Sequence, residues 1–385
     1  MPKLEGSFIL ITVAGVAVIL LIFFAPFFLK STYYASSPAD SLGEFEATSI
    51  SSQIIPVTHL DTPEPLKALY MTSCVASNQD WRENLEMLIE ATELNAVVID
   101  IKDYTGDVSF RKDAKCFVKD FIAFINTLHQ NNIYVIGRIS VFQDPSYTKL
   151  FPELAVKKKS DGKVWKDYKG LSFIDVGAKP YWDYIVELSN YAYELGFDEL
   201  NYDYVRYPSD GNMQDILYTW TVGTTTKSEM LESFFAYLHE SLKDTEVVTS
   251  VDLFGMTTTV MNDMNIGQVL ELALPYFDYV SPMVYPSHYP PTWSNFAHPA
   301  EHPYEVVKIA MSKGMEREQV LNISNSLATS TPSKLRTWLQ DFSLGAVYDQ
   351  DKVRAQIQAT YDVGLTSWML WNAGNKYTAE ALLPE

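Results

Sequence analysis

Apolar and polar positions from residue 67 onward follow two alternating rhythms. Short β-rich runs are separated by longer stretches in which apolar residues return every three or four positions, the signature of parallel βα units. Eight runs stand out: ALYM (68–71), AVVIDIKD (96–103), IYVIGRISVF (133–142) and ELNYDYVRY (199–207), then VVTSVDLFG (247–255), DYVSPMVYP (278–286), TWLQDF (337–342) and TSWMLWN (366–372). Helices are predicted between most of them, over 80–93, 117–130, 180–195, 228–243, 303–313 and 350–362. In DWRENLEMLIEATE, for example, Leu85, Leu88 and Ile89 fall on one helical face. Eight such units over about 320 residues predict a TIM (β/α)8 barrel. An open doubly wound sheet would carry a glycine-rich phosphate turn after its first strand, and none follows ALYM. Between the third and fourth units, KKKSDGKVWKDYKGLSFIDVG (157–177) places a Ser-Asp-Gly turn between strand-like flanks, which predicts an inserted hairpin over the barrel mouth.

The N-terminal region has a different pattern. Residues 8–29, FILITVAGVAVILLIFFAPFFL, carry no charge, and such a helix spans a hydrocarbon core of about 30 Å. The following YYASSPAD is a poor cleavage site, so residues 1–30 are expected to be an uncleaved transmembrane anchor. Residues 31–66 are rich in Ser, Thr, Pro and acidic side chains and read as a flexible linker. The expected protein is single-pass in the cell membrane, with its domain at 67–385 outside the cytoplasm.

Composition narrows the partners. The net charge of −19 argues against nucleic acid, whose phosphates need a basic surface. Aromatics at 14% suit sugar stacking but equally suit a large core. The two cysteines, Cys74 and Cys116, form no metal-ligand pattern, and sequence alone leaves open whether they are bridged.

Polar residues near the C-terminal ends of barrel strands read as catalytic or ligand-binding. In VVIDIKD, Val97, Ile99 and Ile101 share one face, leaving Asp100 and Lys102 on the other, taken as the inner one; Asp103 follows in the loop. Arg138 and Ser140 share a face, as do Ser250 and Asp252, and Asn201, Asp203 and Val205. Arg206 is out of phase unless the strand end bulges or turns. An inward acid can simply pair with Arg138, Lys102 or Arg206 and hold the barrel together. Four acidic strand ends converging with two arginines exceed what structure alone requires, because buried charges must be paired or used.

In the sixth loop, SHYPPTWSNFAHPAEHP, His298 and His302 are four apart, but the surrounding prolines disfavour the helix that would align them. His288, nearer the strand end, is a better candidate for touching substrate. No metal site is assigned. No nucleophile elbow, P-loop or dinucleotide fingerprint is present, and no cofactor is expected.

The runs NAVVIDIKDYTG, GRISVFQDP, ELGFDELNYDYVRYPSDG, VDLFG, DYVSPMVYPSHY and SWMLWN, in this order, resemble a bacterial family described as the putative glycosyl hydrolase domain, within the TIM-barrel glycosidase assemblage. The resemblance covers roughly residues 68–375 and implies a glycosidase. The fourth run is also distantly similar to that of family-eighteen chitinases, GFDGIDIDWEYP, in which the final Glu protonates the glycosidic oxygen. Asp198 and Asp203 stand at matching places. Asn201 replaces one Asp, and Tyr204-Val205-Arg206 fills the region of the missing Glu, so the chitinase mechanism is not implied.

The resulting expectation is a membrane-anchored hydrolase of a polysaccharide. Asp203 is taken as nucleophile or base, its charge supported by Arg206. Asp252 is the acid, its pKa raised by burial and neighbours; Asp100 is the chief rival for either role and Asp341 a weaker one. Arg206, Arg138, Asn201, Asp103, Tyr285, His288, Gln340, Asp341, Trp371 and Asn372 are candidate substrate contacts. The competing expectations are a carbohydrate-binding surface protein without turnover and a metal-assisted deacetylase.

Overall fold

The computed structural model describes residues 57–385, apart from 222, 224, 326–331 and 385. Each of the eight predicted runs forms a strand: β1 Lys67–Met71, β2 Ala96–Lys102, β3 Tyr134–Ser140, β4 Glu199–Asp203, β5 Val248–Phe254, β6 Tyr279–Met283, β7 Thr337–Gln340 and β8 Trp368–Trp371. They close into one parallel barrel in chain order, with β8 returning to β1 through Lys67↔Trp368. Closure leaves no open sheet edge.

The outer helices are α1 Gln79–Glu90, α2 Phe121–Gln130, α3 Lys179–Glu194, α4 Lys227–Leu242, α5 Pro303–Ser324 and α6 Gln350–Asp362. Three of the six, α1, α4 and α6, start at side-chain caps. Asn78 accepts from the Trp81 amide, Asp349 from that of Lys352, and Thr226 and Glu229 form a reciprocal capping box. α5 runs eleven residues beyond its predicted end at 313. Gly314 continues the helix with its Cα facing Leu335 and Thr258, where an added methyl would lie 3.1 Å from Leu335 Cδ1.

The barrel interior is filled rather than hollow. Ala68, Tyr70, Val98, Ile136, Trp338 and Met369 pack across the axis, with Leu66 among them and Leu60 beneath. Residues 57–66, read from sequence as the end of a flexible linker, are therefore docked on the domain. The Leu60 amide donates to Asp198, Thr62 bonds Tyr134, and His59 stacks on Tyr193 with ring centroids 4.0 Å apart. Cys74 and Cys116 form a disulfide that ties the loop after β1 to the segment before α2. Among the described residues no helix is long and apolar enough to cross a membrane. The predicted anchor at 8–29 lies outside them.

The inserted hairpin forms. Lys158 and Lys163 pair across the Ser160-Asp161-Gly162 turn, and Lys157–Lys158 pairs antiparallel with Ile216–Leu217. Trp165 anchors it beside Val156, Phe173 and Ile216. Its indole lies against Gly211, at φ +108°, where a Cβ would come within 2.6 Å of the ring, and its Nε1 donates to the Asn212 carbonyl. The insertion is thus locked onto the loop that follows β4.

Candidate active site

Two polar layers cross the barrel. The lower one joins Glu199 to Arg336 and to the Ser250 hydroxyl, with the Arg336 guanidinium 4.1 Å from the Tyr279 ring centroid. This fully buried pair closes the floor.

The upper layer lies at the C-terminal ends of β2 to β5. Strand register Asp100↔Arg138↔Asn201↔Ser250 sets these side chains on one inner face. Arg138 bridges two acids: Nη1 donates to Asp100 Oδ1 at 2.6 Å and Nη2 to Asp203 Oδ2 at 2.5 Å. The remaining oxygen of Asp100 accepts from the Tyr70 hydroxyl at 2.5 Å. Burial raises the Asp100 pKa, while Arg138 and Tyr70 oppose the rise.

The expected support of Asp203 by Arg206 is replaced by Arg138. The reason lies in the backbone. β4 ends at Asp203, and Tyr204 adopts a left-handed φ of +52°, a conformation that costs a non-glycine residue about 1 kcal/mol or more. The turn carries Arg206 away from the carboxylate, to donate to the Tyr207 carbonyl and the Ser209 hydroxyl. A second displacement affects Lys102. A bulge between Asp100 and Lys102 shifts the register, so Lys102 pairs with Ile139 instead of the inward phase. Its ammonium, expected inside with Asp100, lies among outer residues, 2.9 Å from Asp144 and 5.9 Å from the Tyr181 ring centroid.

Asp252 follows Val251, the last residue of β5 paired to β4, which lies opposite Tyr202, and is itself paired with Ser281 of β6. It is thus the neighbour of Asp203 across an inter-strand gap of about 4.8 Å. Its environment is different: no cation among the described residues contacts it. Oδ1 accepts from Asn201 Nδ2 at 2.9 Å and Trp338 Nε1 at 2.8 Å. Burial, then the charge of Asp203, pushes its pKa up to about 8 against the pull of Asn201, Arg138 and Trp338.

An aromatic wall stands beside the carboxyls. Tyr70 stacks on Trp371 at 4.0 Å, and Tyr285 is roughly parallel to Trp371 at 6.5 Å. The Arg138 guanidinium lies 5.0 Å from the Trp371 centroid. The Tyr285 hydroxyl has no hydrogen-bond partner among the described residues, and burial followed by Asp252 raises its pKa. His288 extends the wall, edge-on to Tyr285 and Phe342.

Other predicted contacts build the rim. Asp103 Oδ1 accepts from the amides of Thr105 and Asp107, organising the loop after β2. Asp341 holds the C-terminal loop through both the amide and hydroxyl of Thr378. Asn372 accepts from the Gly374 amide and donates to the carbonyls of Asp341 and Lys376. Gln340 accepts from the Ser287 amide at 3.1 Å and donates to the Phe342 carbonyl. These side chains fasten loops and do not converge on Asp252.

Tyr70 and Trp338 were missed by the sequence reading. Both sit in apolar runs and pack in the core, and each donates its one polar hydrogen to a candidate carboxyl. The available signal was their inner phase near a strand end. Among the described residues no group of three or more His, Cys, Asp or Glu is arranged to hold a metal ion.

The family model described as "Putative glycosyl hydrolase domain" matches residues 68–377. The chain is similar to a solved hypothetical protein from Ruminiclostridium thermocellum ATCC 27405, at 33% identity over 48% of this chain and 96% of that one, with a TM-score of 0.42. It is also similar in fold to the PgaB (BpsB) glycoside hydrolase domain from Bordetella bronchiseptica, with 13% identity, 82% and 97% coverage and a TM-score of 0.56. The C-terminal domain of a protein titled putative chitinase from Desulfitobacterium hafniense DCB-2 gives 12%, 82%, 97% and 0.50 in the same order. No curated protein sequence matches.

Proposed function

Because the chain belongs to the family described as the putative glycosyl hydrolase domain, we propose that the Asp203–Asp252 pair hydrolyses a glycosidic bond in a polysaccharide. One observation carries this reading: neighbouring inward carboxyls are held in opposite electrostatic settings. Asp203 is ion-paired with Arg138, whereas Asp252 is buried without a cation and is protonated up to about pH 8. Such a split between two acids is how one site keeps an acid and a base side by side at neutral pH.

In this mechanism, the Asp252 carboxyl gives its proton to the leaving glycosidic oxygen as the bond to the anomeric carbon breaks. The Asp203 carboxylate attacks that carbon or takes a proton from the attacking water. Neighbouring strands about 4.8 Å apart suit the roughly 5–10 Å span of two-carboxylate hydrolysis. Trp371 and Tyr285 offer ring faces to the apolar faces of a sugar. Asp100 shares Arg138 with Asp203 and positions the guanidinium.

The domain is read as tethered outside the cytoplasm. The uncharged run at 8–29 supports an anchor, and the Cys74–Cys116 disulfide supports an oxidising compartment. A binding protein without turnover is the second reading, favoured by the depth of Asp252, which is only 1% exposed.

The deciding experiment presents a panel of neutral and charged polysaccharides to the full-length chain and measures new reducing ends. Release by the parent, lost in Asp252→Asn and Asp203→Asn, is expected. Retained glycan binding with no release by the parent would overturn hydrolysis in favour of the binding reading.

A further inference from the structure

The chain has seven arginines. Six have a carboxylate within 4 Å: Arg82, Arg111, Arg138, Arg317, Arg336 and Arg354. Arg206 has none among the described residues, although it is only 8% exposed. Asp203, Asp210 and Asp167 act on it from farther away. Its guanidinium is enclosed by the rings of Tyr204, Phe254 and Phe173, with centroids at 5.0, 5.1 and 5.8 Å. Nη1 is satisfied by the Tyr207 carbonyl and the Ser209 hydroxyl. Nε and Nη2 have no acceptor in the described residues, yet neither is sealed from solvent. A desolvated cation without a counter-ion is costly to keep. Here it sits three residues past Asp203, on the catalytic side of the barrel, with two donors left over in a planar fork suited to a carboxylate or phosphate.

An independent feature lies beside it. The insertion is locked to the same loop through Trp165 and Gly211, and its residues 157–170 hold six lysines against two aspartates. In a chain of net charge −19 this is a strong local reversal. Lys159, Lys163, Lys166 and Lys169 are exposed, and Lys159 and Lys227 line a cavity of about 370 Å³ at the base of the insertion. Such a strip attracts a polyanion locally while the rest of the surface repels it.

We infer that the substrate is an acidic glycan, one of whose oxyanion groups binds Arg206 while the lysines of the insertion follow the chain. This rests on the polysaccharide reading above and adds the substrate's charge. A carboxylate on a uronic acid and a phosphate in the backbone present the same oxyanion chemistry.

Binding can be measured with the full-length Asp252→Asn chain, so that turnover plays no part. The probes are oligogalacturonate, its carboxyl-reduced neutral counterpart, and a poly(glycerol phosphate) chain. At least one anionic probe is expected to bind more tightly than the neutral one, and the preferred anion identifies the oxyanion. Arg206→Gln is expected to shrink that preference at least roughly tenfold, the loss of a charge-assisted hydrogen bond. Lys163→Glu together with Lys169→Glu, both on the exposed hairpin, is expected to reduce the preference and its salt dependence even if Arg206→Gln fails to fold. Equal binding of all three probes, or binding of none, overturns the inference. Arg206-dependent anion binding by a parent that releases no reducing ends would retain the anion site and remove only the hydrolase reading.

Discussion

Asp203 and Asp252 occupy neighbouring strand ends on one face of the barrel, and only Asp203 touches a guanidinium, that of Arg138 at 2.5 Å. The Asp252 carboxyl instead accepts from Asn201 and Trp338, two neutral donors. Neutral donors soften the cost of ionisation but do not cancel it in a site this buried. The charge of Asp203 adds to that cost. Asymmetry of this kind gives the two acids different partners, and raises the pKa of Asp252, without any difference in residue type.

In the proposed mechanism the pH dependence of hydrolysis follows from Asp252. An acid must carry its proton, and the protonated fraction falls as pH rises through about 8. kcat/KM is therefore expected to have an alkaline limb near pH 8. Asp252→Asn should remove that limb and lower the plateau by about 10²–10⁴-fold. An unchanged profile in the variant would move the acid role to another group.

Stability depends on the same ionisation and falls in the same direction with pH. The folded pKa of Asp252 lies above its ordinary value of 3.8. The stabilisation it gives is complete below that value and is lost as pH rises through about 8. At pH 9 the Asp252→Asn chain should unfold at higher urea than the parent, by about 1–3 kcal/mol. At pH 4 the gap should narrow. Equal midpoints at both values would contradict the buried-acid assignment.

Asp203→Asn tests the coupling between the pair. Removing its charge should lower the Asp252 pKa, since Asp203 is the second cause of its elevation. The measurable result is a shift of the Asp252 carboxyl titration toward acid by NMR, together with a rate loss of at least about 10²-fold. An unmoved titration would mean that the two groups do not sense each other.

Arg138→Met leaves Asp100 and Asp203 buried without their shared cation. The expected loss is about 3–5 kcal/mol at neutral pH. The deficit should shrink as pH falls and the carboxylates protonate. Urea unfolding at pH 7 and pH 4 checks both statements.

Cys74→Ser with Cys116→Ser opens a loop with a sequence separation of 42 residues. Removal of a bridge of that span costs about 2–4 kcal/mol. The melting temperature of the double variant should fall and become insensitive to reductant, while the parent's should drop on reduction to match it.

Much of this arrangement was legible before any coordinates. Asp100, Arg138, Asn201, Asp203 and Asp252 were placed inward by the period-two alternation of their strands, and the structure gathers them in one layer. Alternation is a local property, since each side chain's face is set by its immediate neighbours. Partners are different. Which acid Arg138 holds depends on the stagger between strands far apart in sequence, and one left-handed residue, Tyr204, sends Arg206 elsewhere.

By itself, then, the chain's pattern of residues determined the barrel, the order of its strands and the inward direction of its acids, because those follow from periodicity within short windows. Tertiary structure alone decided the raised pKa of Asp252, the outward placement of Lys102 by a bulge, the donors from Tyr70 and Trp338, and the docking of residues 57–66. Those depend on ring closure, register and burial, which no window of sequence contains.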